Sequence, residues 1–195
     1  MHHFLQQFEE KGFYVFHEFI SNKETANLRN EIETLMNNEE MKLAGIGKAE
    51  NFQVNQLQRG DFIQWIDESN AIEPAKIFLS LLHEIVATLN RNFYLGITDI
   101  ECHYTHYPTG TFYKKHVDRH RQQSHRIVSF VLYLNEKWNV EDGGQLRIYH
   151  DDESYNDVIP QEGTLAIFLS EKEHEVLKTN RPRQSITGWM RTRVI

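Results

Sequence analysis

Residues 116–118 read His-Val-Asp, and this short stretch decides how the rest of the chain is interpreted. Successive side chains of a β-strand point to opposite faces, so His116 and Asp118 would project from the same side of a strand. A distant strand can then supply a third metal ligand, for which His174 is the candidate. Two imidazoles and one carboxylate on one face of an ion leave its opposite face open, which indicates a site for chemistry.

The sequence pattern around this stretch is typical of a β-rich fold. From about residue 97, short runs rich in Val, Ile, Tyr and Phe alternate with turn-forming clusters such as Pro108-Thr109-Gly110. Short strands at this spacing favour a barrel or a jelly roll. We predict strands near residues 97–106, 111–118, 127–134, 145–150, 164–169, 174–178 and 184–194.

The first half of the chain predicts helices. Residues 23–38 and 72–92 repeat apolar side chains at helical spacing, and Ser21 followed by Glu24 is typical of an N-terminal capping box. Such helices could bind a partner, but we expect them to pack against the chain's own sheet. The prediction is one domain over residues 1–195, mostly β with flanking helices: helical support to about residue 95, and a jelly-roll core from about residue 96.

Composition limits the partners and the compartment. The chain has 195 residues and a formal charge of −7 at pH 7, which argues against a general binder of nucleic acid or anionic membranes. Cys102 is the only cysteine, which excludes an intrachain disulfide and fits a reducing cytosol. No apolar run is long enough to span a bilayer, and the start lacks the apolar core of a signal peptide. We therefore expect a cytoplasmic protein.

Arg183 strengthens the metal-site hypothesis. It follows His174 by nine residues and falls on the next predicted strand. Burying an unpaired guanidinium inside a barrel costs several kcal/mol, and a carboxylate ligand would remove that cost. The ligands themselves suit Fe(II) but would also accept Zn, Mn, Co or Ni, so they do not select the metal.

The order His-x-Asp, His, then Arg nine residues later resembles the 2-oxoglutarate and Fe(II) dependent dioxygenases. Within them, the chain is similar to the prolyl 4-hydroxylases related to the hypoxia-inducible-factor hydroxylases and their bacterial counterparts. This narrower resemblance is carried by local matches from about residue 59 onward: Arg59-Gly60-Asp61, Trp65-Ile66, Tyr107-Pro108, Tyr133-Leu134-Asn135, Gly143-Gly144, Leu146-Arg147-Ile148 and His174-Glu175-Val176. It implies a double-stranded β-helix, the jelly-roll, cupin-like fold of that family.

The resemblance also implies the cofactors and their ligands. Fe(II) would be held by His116, Asp118 and His174, with 2-oxoglutarate and O2 as co-substrates, succinate and CO2 as products, and ascorbate as an aid that keeps iron reduced. Arg183 would bind the distant carboxylate of 2-oxoglutarate through paired hydrogen bonds, a task that suits a guanidinium better than an ammonium. Tyr133, Tyr107 and Thr187 match positions beside the cofactor, although each could also be an ordinary core residue of a strand.

The substrate side rests on the same resemblance. Asp61, in the Arg59-Gly60-Asp61 motif, and Arg126 match a pair that in the family links the metal strand to a mobile substrate loop, here residues 42–60. A plain surface salt bridge is the alternative. The implied substrate is a protein with an exposed proline, and elongation factor Tu is the candidate by family analogy. A monomer suits an enzyme that must admit a macromolecule.

Two other functions stay open at this point. The first is hydroxylation of a small metabolite or free amino acid by the same chemistry. A nucleic-acid demethylase is disfavoured, because that branch usually carries a second arginine where this chain has Trp189. The second is a non-catalytic jelly-roll module that binds metal without turnover, which has no need for all of His116, Asp118, His174 and Arg183.

Overall fold

Two antiparallel sheets and three helices make up the computed structural model, which describes residues 2–45, 57–119 and 125–193. The helices are α1 (His2–Lys11), α2 (Asn22–Asn37) and α3 (Glu73–Phe93). The strands are β1 (Phe13–Phe16), β2 (Lys42–Leu43), β3 (Phe62–Trp65), β4 (Asp99–Tyr107), β5 (Tyr113–His116), β6 (Arg126–Tyr133), β7 (Leu146–Tyr149), β8 (Tyr155–Val158), β9 (Leu165–Leu169), β10 (His174–Val176) and β11 (Arg183–Arg191).

The major sheet has the strand order β1-β9-β6-β11-β4-β3-β2, and the minor sheet has the order β5-β10-β7-β8. The sheets pack face to face, because one apolar cluster joins residues of both: Phe13, Val131, Tyr133, Leu146, Ile148, Val158, Ala166 and Phe168. This is the jelly-roll arrangement, so the predicted fold class is confirmed. The minor sheet closes over the inner face of the major sheet, and the space between them positions the candidate site.

The outer face of the major sheet is covered by the helices. Alternate residues of its central strands, such as Phe130 and Ile186, belong to a large apolar cluster with Leu28 of α2 and Phe78 of α3. The capping box predicted at the start of α2 is present. The Ser21 hydroxyl accepts from the Glu24 N–H, and the Glu24 carboxylate accepts from the Ser21 N–H. Among the described residues, no helix is both long and apolar enough to cross a bilayer.

The N-terminal half supplies strands as well as helices. β1, β2 and β3 all join the major sheet, and α1 precedes β1, although the sequence predicted only α2 and α3 in this part. The sequence of β1, Phe-Tyr-Val-Phe, is apolar at every position because it packs on both faces, so it lacks the alternation that signals a strand. Residues 46–56 of the loop predicted at 42–60 lie outside the described residues.

Candidate metal and carboxylate site

The predicted metal ligands converge at one end of the minor sheet. His116 and His174 are direct cross-strand partners on β5 and β10, and Asp118 follows two residues after His116. The Nε2 atom of His116 lies 3.6 Å from one Asp118 oxygen, and that of His174 lies 3.5 Å from the other. One ligand atom from each residue lies within 4.8 Å of the others. The spacing of residues 116 and 118 and the strand register therefore produce a three-ligand cluster.

Hydrogen bonds orient all three ligands. The Nδ1 atom of His116 lies 2.7 Å from the Lys114 carbonyl, and that of His174 lies 2.9 Å from the Lys172 carbonyl. A carbonyl only accepts, so each Nδ1 carries a proton, and each Nε2 is the ring atom directed toward the carboxylate and available to a metal. The Ser129 hydroxyl of β6 donates to Asp118 Oδ2 over 2.7 Å. The ligands are thus held in an orientation that lets all three bind one ion.

The electrostatics of the cluster favour metal binding. Burial alone would raise the pKa of Asp118, but the neighbouring His174 and His116 and the Ser129 hydrogen bond lower it below its usual range. Burial lowers the pKa of His174 to about 4, against a smaller opposing effect of Asp118. At neutral pH the site presents an ionised carboxylate and a neutral His174, which is the donor set that Fe(II) and similar ions bind.

Tyr113 packs against the His116 ring, and Arg59 packs against Tyr113. The Tyr113 ring stacks on the His116 imidazole with centroids 3.6 Å apart. The Arg59 guanidinium lies over the Tyr113 ring, 4.3 Å from its centroid. Arg59 is itself held by Asp61 through two hydrogen bonds of 2.7 and 2.5 Å. The stack connects the segment before β3 to a metal ligand.

The predicted pairing of Asp61 with Arg126 is wrong in this structure. Asp61 pairs with Arg59, while Arg126 binds Glu101 of β4. The strand register explains the difference. Arg126 aligns through Arg191 with the first residue of β4, whereas the residue after Asp61 aligns with His106, seven residues further along that strand. Seven residues of extended chain span roughly 20 Å, which is too far for an ion pair.

Arg183 occupies a separate, fully enclosed position on the inner face of β11. Its side chain is 1% exposed, and Nε donates to the Gly144 carbonyl over 2.9 Å. Gly144 has a φ of +67°, and a Cβ there would approach Arg183 Cδ to 2.9 Å, so the arginine depends on this glycine. The rings of Tyr107 and Tyr133 flank the guanidinium, each with its centroid 5.0 Å away.

These residues fit a carboxylate ligand. No acidic side chain of the described residues forms an ion pair with Arg183, so its buried charge lacks a counter-ion. The Tyr133 hydroxyl is also buried, and it has no hydrogen-bond partner in the part of the chain that the structure describes. Burial raises the pKa of Tyr133 to about 12, despite Arg183, so this hydroxyl remains a donor at neutral pH. A carboxylate between them would satisfy both groups.

Thr187 lies on the same inner face of β11 as Arg183. Its hydroxyl accepts from Thr105 of β4 over 3.3 Å, and it lies 3.5 Å from the Ser185 hydroxyl. The structure therefore places Tyr107, Tyr133 and Thr187 on the inner face with Arg183, and their contact with a cofactor stays a prediction. Arg126 is the predicted residue that it sets apart, at the other end of β6.

Sequence reasoning missed several residues of this site. Ser129 interrupts the otherwise apolar run of residues 127–132, and that interruption was the available signal. Tyr113 was hidden because it reaches His116 through a register irregularity between β10 and β5 that no sequence pattern marks. His103 was passed over among eleven histidines, although it is buried on the inner face of β4.

The chain matches known proteins across this site. Residues 102–191 match the sequence model of the 2OG-Fe(II) oxygenase superfamily. The solved structure of a prolyl-4-hydroxylase from Pseudomonas putida is 37% identical and is covered over 98% of each chain, with a TM-score of 0.88. A prolyl hydroxylase from Trichoplax adhaerens, solved with a hypoxia-inducible-factor peptide, is 27% identical over 96% of this chain and 87% of that one, with a TM-score of 0.87.

A hypoxia-inducible factor prolyl hydroxylase of Caenorhabditis elegans is 38% identical over 88 residues. These are 43% of this chain but only 12% of that protein, so the chain spans a small part of its length.

Proposed function

The chain belongs to the 2OG-Fe(II) oxygenase superfamily, and from this premise we propose that it hydroxylates a proline residue within a peptide or protein, as a prolyl 4-hydroxylase. The proposal is carried by the buried guanidinium of Arg183, which forms no ion pair with a described acidic side chain, together with the cluster of His116, Asp118 and His174. Together they provide for both a metal and a dicarboxylate co-substrate. The relative of 37% identity, which is matched over its whole length, supports proline as the target.

The metal would be held by the Nε2 atoms of His116 and His174 and by the carboxylate of Asp118. Each imidazole is fixed by its Nδ1 hydrogen bond to a carbonyl, and Asp118 is fixed by Ser129. Tyr113 blocks rotation of the His116 ring by stacking on it. Because all the ligands come from one side, the opposite side is left for co-substrate and oxygen.

The distant carboxylate of 2-oxoglutarate would be held by Arg183 and the Tyr133 hydroxyl. Tyr107 walls the same position, and burial keeps its pKa well above the ordinary value, so it carries no charge. When bound, Fe(II), 2-oxoglutarate and O2 together supply the oxidation that inserts one oxygen atom into a C–H bond, with the second oxygen atom entering succinate as CO2 is lost. Arg183, Tyr133 and Tyr107 are all buried, so the position proposed for this carboxylate is shielded from bulk water.

The finer features of the proposal come from the family resemblance. We propose a protein substrate with an exposed proline, elongation factor Tu being the first candidate to test. We further propose that the protein acts in the cytoplasm as a monomer, and that ascorbate supports its turnover. A monomer leaves the face around the metal cluster open to a macromolecular substrate.

The decisive experiment is product analysis by mass spectrometry. The protein is incubated with Fe(II), 2-oxoglutarate, O2 and either purified elongation factor Tu or a panel of proline-containing peptides, and hydroxyproline is located by fragmentation. We expect one added oxygen atom on proline, with one succinate formed per hydroxylation. Asp118→Ala should abolish the product. Lys115→Ala is a matched control, because it changes a neighbour whose amine pairs with Glu173 on the surface.

The outcome also separates the alternatives. Succinate formation that small metabolites stimulate and peptides do not would replace the proposal with a metabolite hydroxylase. Anaerobic titration of the Fe(II)-loaded protein with 2-oxoglutarate, followed by its visible absorption band, isolates cofactor binding. A normal band without succinate from any substrate would favour a module that binds but does not turn over.

A further inference from the structure

A cluster of three rings lies on the inner face of the major sheet beyond the metal ligands. The His103 imidazole of β4 contacts Trp65 of β3 edge to face, with centroids 5.0 Å apart, and Trp189 of β11 at 5.7 Å. The two tryptophan rings lie 6.3 Å from each other. We call Trp65, His103 and Trp189 the ring cluster. The three ring centroids form a triangle, so each ring contacts the other two.

The ring cluster extends from the metal ligands toward solvent. Trp189 is the cross-strand partner of Ser129, and Ser129 donates to the Asp118 carboxylate. At the other end, Trp65 is the cross-strand partner of His103 and remains 50% exposed. The Trp65 ring is therefore accessible to a ligand that approaches this face of the sheet. The cluster therefore forms a wall that a substrate would contact on its way to the metal.

His103 is held in one tautomer by its surroundings. Its Nδ1 atom lies 2.9 Å from the Thr105 hydroxyl and 3.3 Å from the Tyr104 carbonyl. Since the carbonyl only accepts, a proton on Nδ1 satisfies both contacts and leaves the Thr105 proton for Thr187, toward which Thr105 donates. Both hydrogen-bond contacts of His103 use Nδ1, so Nε2 keeps a lone pair that can accept from a ligand.

The neutral imidazole is maintained at physiological pH. His103 is 2% exposed, and burial lowers its pKa to about 4, outweighing the opposing charge of Asp61. A neutral Nε2 acceptor is the form that recognises an N–H group. A protonated imidazole would repel it.

Trp189 presents the complementary group. Its Nε1 is buried and has no hydrogen-bond partner among the described residues, while the Arg126 guanidinium lies over its ring. A buried donor without a partner costs about 1–3 kcal/mol, so the indole is arranged for a ligand that accepts. The ring cluster thus offers one acceptor and one donor within an apolar wall. A peptide backbone, with its alternating N–H and C=O groups, is the matching chemistry.

We propose that His103 is a substrate-binding residue whose Nε2 accepts a hydrogen bond from the backbone N–H that follows the target proline. This inference rests on the proposed function, because it takes peptidyl proline as the substrate. A proline residue within a chain has no N–H of its own, so the next residue carries the nearest backbone donor on its C-terminal side. The tryptophans hold the imidazole in place and shield the bond from water.

The test uses two small probes that differ at one atom. N-acetyl-proline N-methylamide contains a single N–H, placed after the proline, and N-acetyl-proline methyl ester has an oxygen there. Binding of each is measured anaerobically by tryptophan fluorescence and ligand-observed NMR, with Fe(II) and 2-oxoglutarate present. We expect wild type to bind the amide about 3- to 10-fold more tightly than the ester, as one neutral hydrogen bond allows.

Two variants decide whether His103 causes this preference. His103→Met keeps the side-chain volume but removes the acceptor, and the amide-to-ester ratio should fall to about 1. His103→Gln can place an amide oxygen near the position of Nε2 and should retain most of the preference. A role limited to packing would leave the ratio unchanged in both variants. The 2-oxoglutarate absorption band and the melting temperature show that each variant is folded and loaded.

Equal affinity of wild type for amide and ester, no binding of either probe, or a ratio that survives in His103→Met overturns the inference. The proposed function is judged separately by hydroxyproline formation in the peptide panel. Peptide hydroxylation with no role for His103 would leave that function intact. An amide preference without any hydroxylated peptide would remove the function and keep the binding site.

Discussion

The two faces of the major sheet carry different kinds of side chain. On β11, Ile186 and Met190 point to the helices and are completely buried among apolar side chains. The residues that alternate with them along the strand, such as Arg183 and Thr187, point to the minor sheet. One strand thus contributes to an apolar core on its outer side and places polar side chains on its inner side.

The contrast teaches where stability and function reside. On the helix side, the apolar cluster needs no hydrogen bonds, and burial is its source of stability. On the inner side, the structure leaves Tyr133 Oη, Trp189 Nε1 and the Arg183 charge without full partners. Such groups cost free energy in the absence of a ligand. We therefore expect substitutions on the two faces to have opposite signatures.

Phe130→Ala, on the helix side of β6, should produce the largest effect. The ring is completely buried and contacts Phe78 of α3, with centroids 5.9 Å apart. Its removal leaves a cavity and should lower the free energy of unfolding by about 3–5 kcal/mol, measured by urea denaturation. Affinity for Fe(II) and 2-oxoglutarate, measured on the folded fraction, should stay the same. Loss of cofactor affinity without loss of stability would contradict the division of roles.

Arg183→Met should give the opposite result on the inner face. Two charge-assisted hydrogen bonds to the co-substrate would be lost, so the dissociation constant for 2-oxoglutarate should rise about 100-fold. The free energy of unfolding without ligand should stay equal or increase, because a buried charge without a counter-ion is removed. Anaerobic titration of the visible absorption band and urea denaturation measure the two quantities.

Arg191→Met is the matched control for this substitution. Arg191 is on the same face of the same strand but pairs with Asp99 and Glu101 near the surface. It should leave 2-oxoglutarate affinity unchanged and alter stability by at most about 1 kcal/mol. Equal losses of affinity in both variants would show that any arginine on this strand matters, which would remove the specific role of Arg183.

The fold and the metal cluster were accessible to sequence reasoning for a physical reason. Strand periodicity fixes that His116 and Asp118 share a face. The nine-residue step from His174 to Arg183 is covered by the short connection that joins β10 of the minor sheet to β11 of the major sheet. These are local relationships that tertiary structure does not overturn. The fold class followed from strand spacing in the second half of the chain in the same way.

The parts that failed depend on register between distant segments. The pairing of Arg126 with Glu101 and of Asp61 with Arg59 follows from how β3, β4, β11 and β6 align, and no single strand encodes that alignment. β1 was not predicted, because a strand that packs on both faces does not alternate apolar and polar residues. His103 was not predicted, because only the register that places Trp65 and Thr187 opposite it shows that it lies on the inner face of the sheet.

The pH dependence of stability sharpens the comparison at His103. Burial lowers the folded-state pKa of His103 from the ordinary 6.5 to about 4, so the unfolded chain binds a proton more readily than the native one. The stability associated with the neutral ring is fully present above pH 6.5 and is lost as the pH falls toward 4. Between about pH 7.5 and pH 5, wild type should lose about 2 kcal/mol more than His103→Met.

Urea denaturation at the two pH values measures this difference. Other titrating groups, including His174, are common to both proteins and cancel in the comparison. Cys102→Ala serves as a control, because Cys102 is buried beside His103 on the helix face of β4 and does not titrate in this range. Parallel stability curves for wild type and His103→Met would show that the ring is not held neutral by burial.

Tyr133→Phe should give the smallest effect, and it tests whether the inner face is built for its ligand. The substitution removes only a hydroxyl that is buried without a partner in the ligand-free protein. The free energy of unfolding should therefore stay equal or rise slightly, while one hydrogen bond to 2-oxoglutarate, worth about 1 kcal/mol, is lost. The expected result is a roughly 5-fold higher dissociation constant for 2-oxoglutarate in the anaerobic titration, with no decrease in melting temperature. A destabilised protein with normal co-substrate affinity would mean that the hydroxyl serves the fold, and the contrast between the two faces would not hold at this residue.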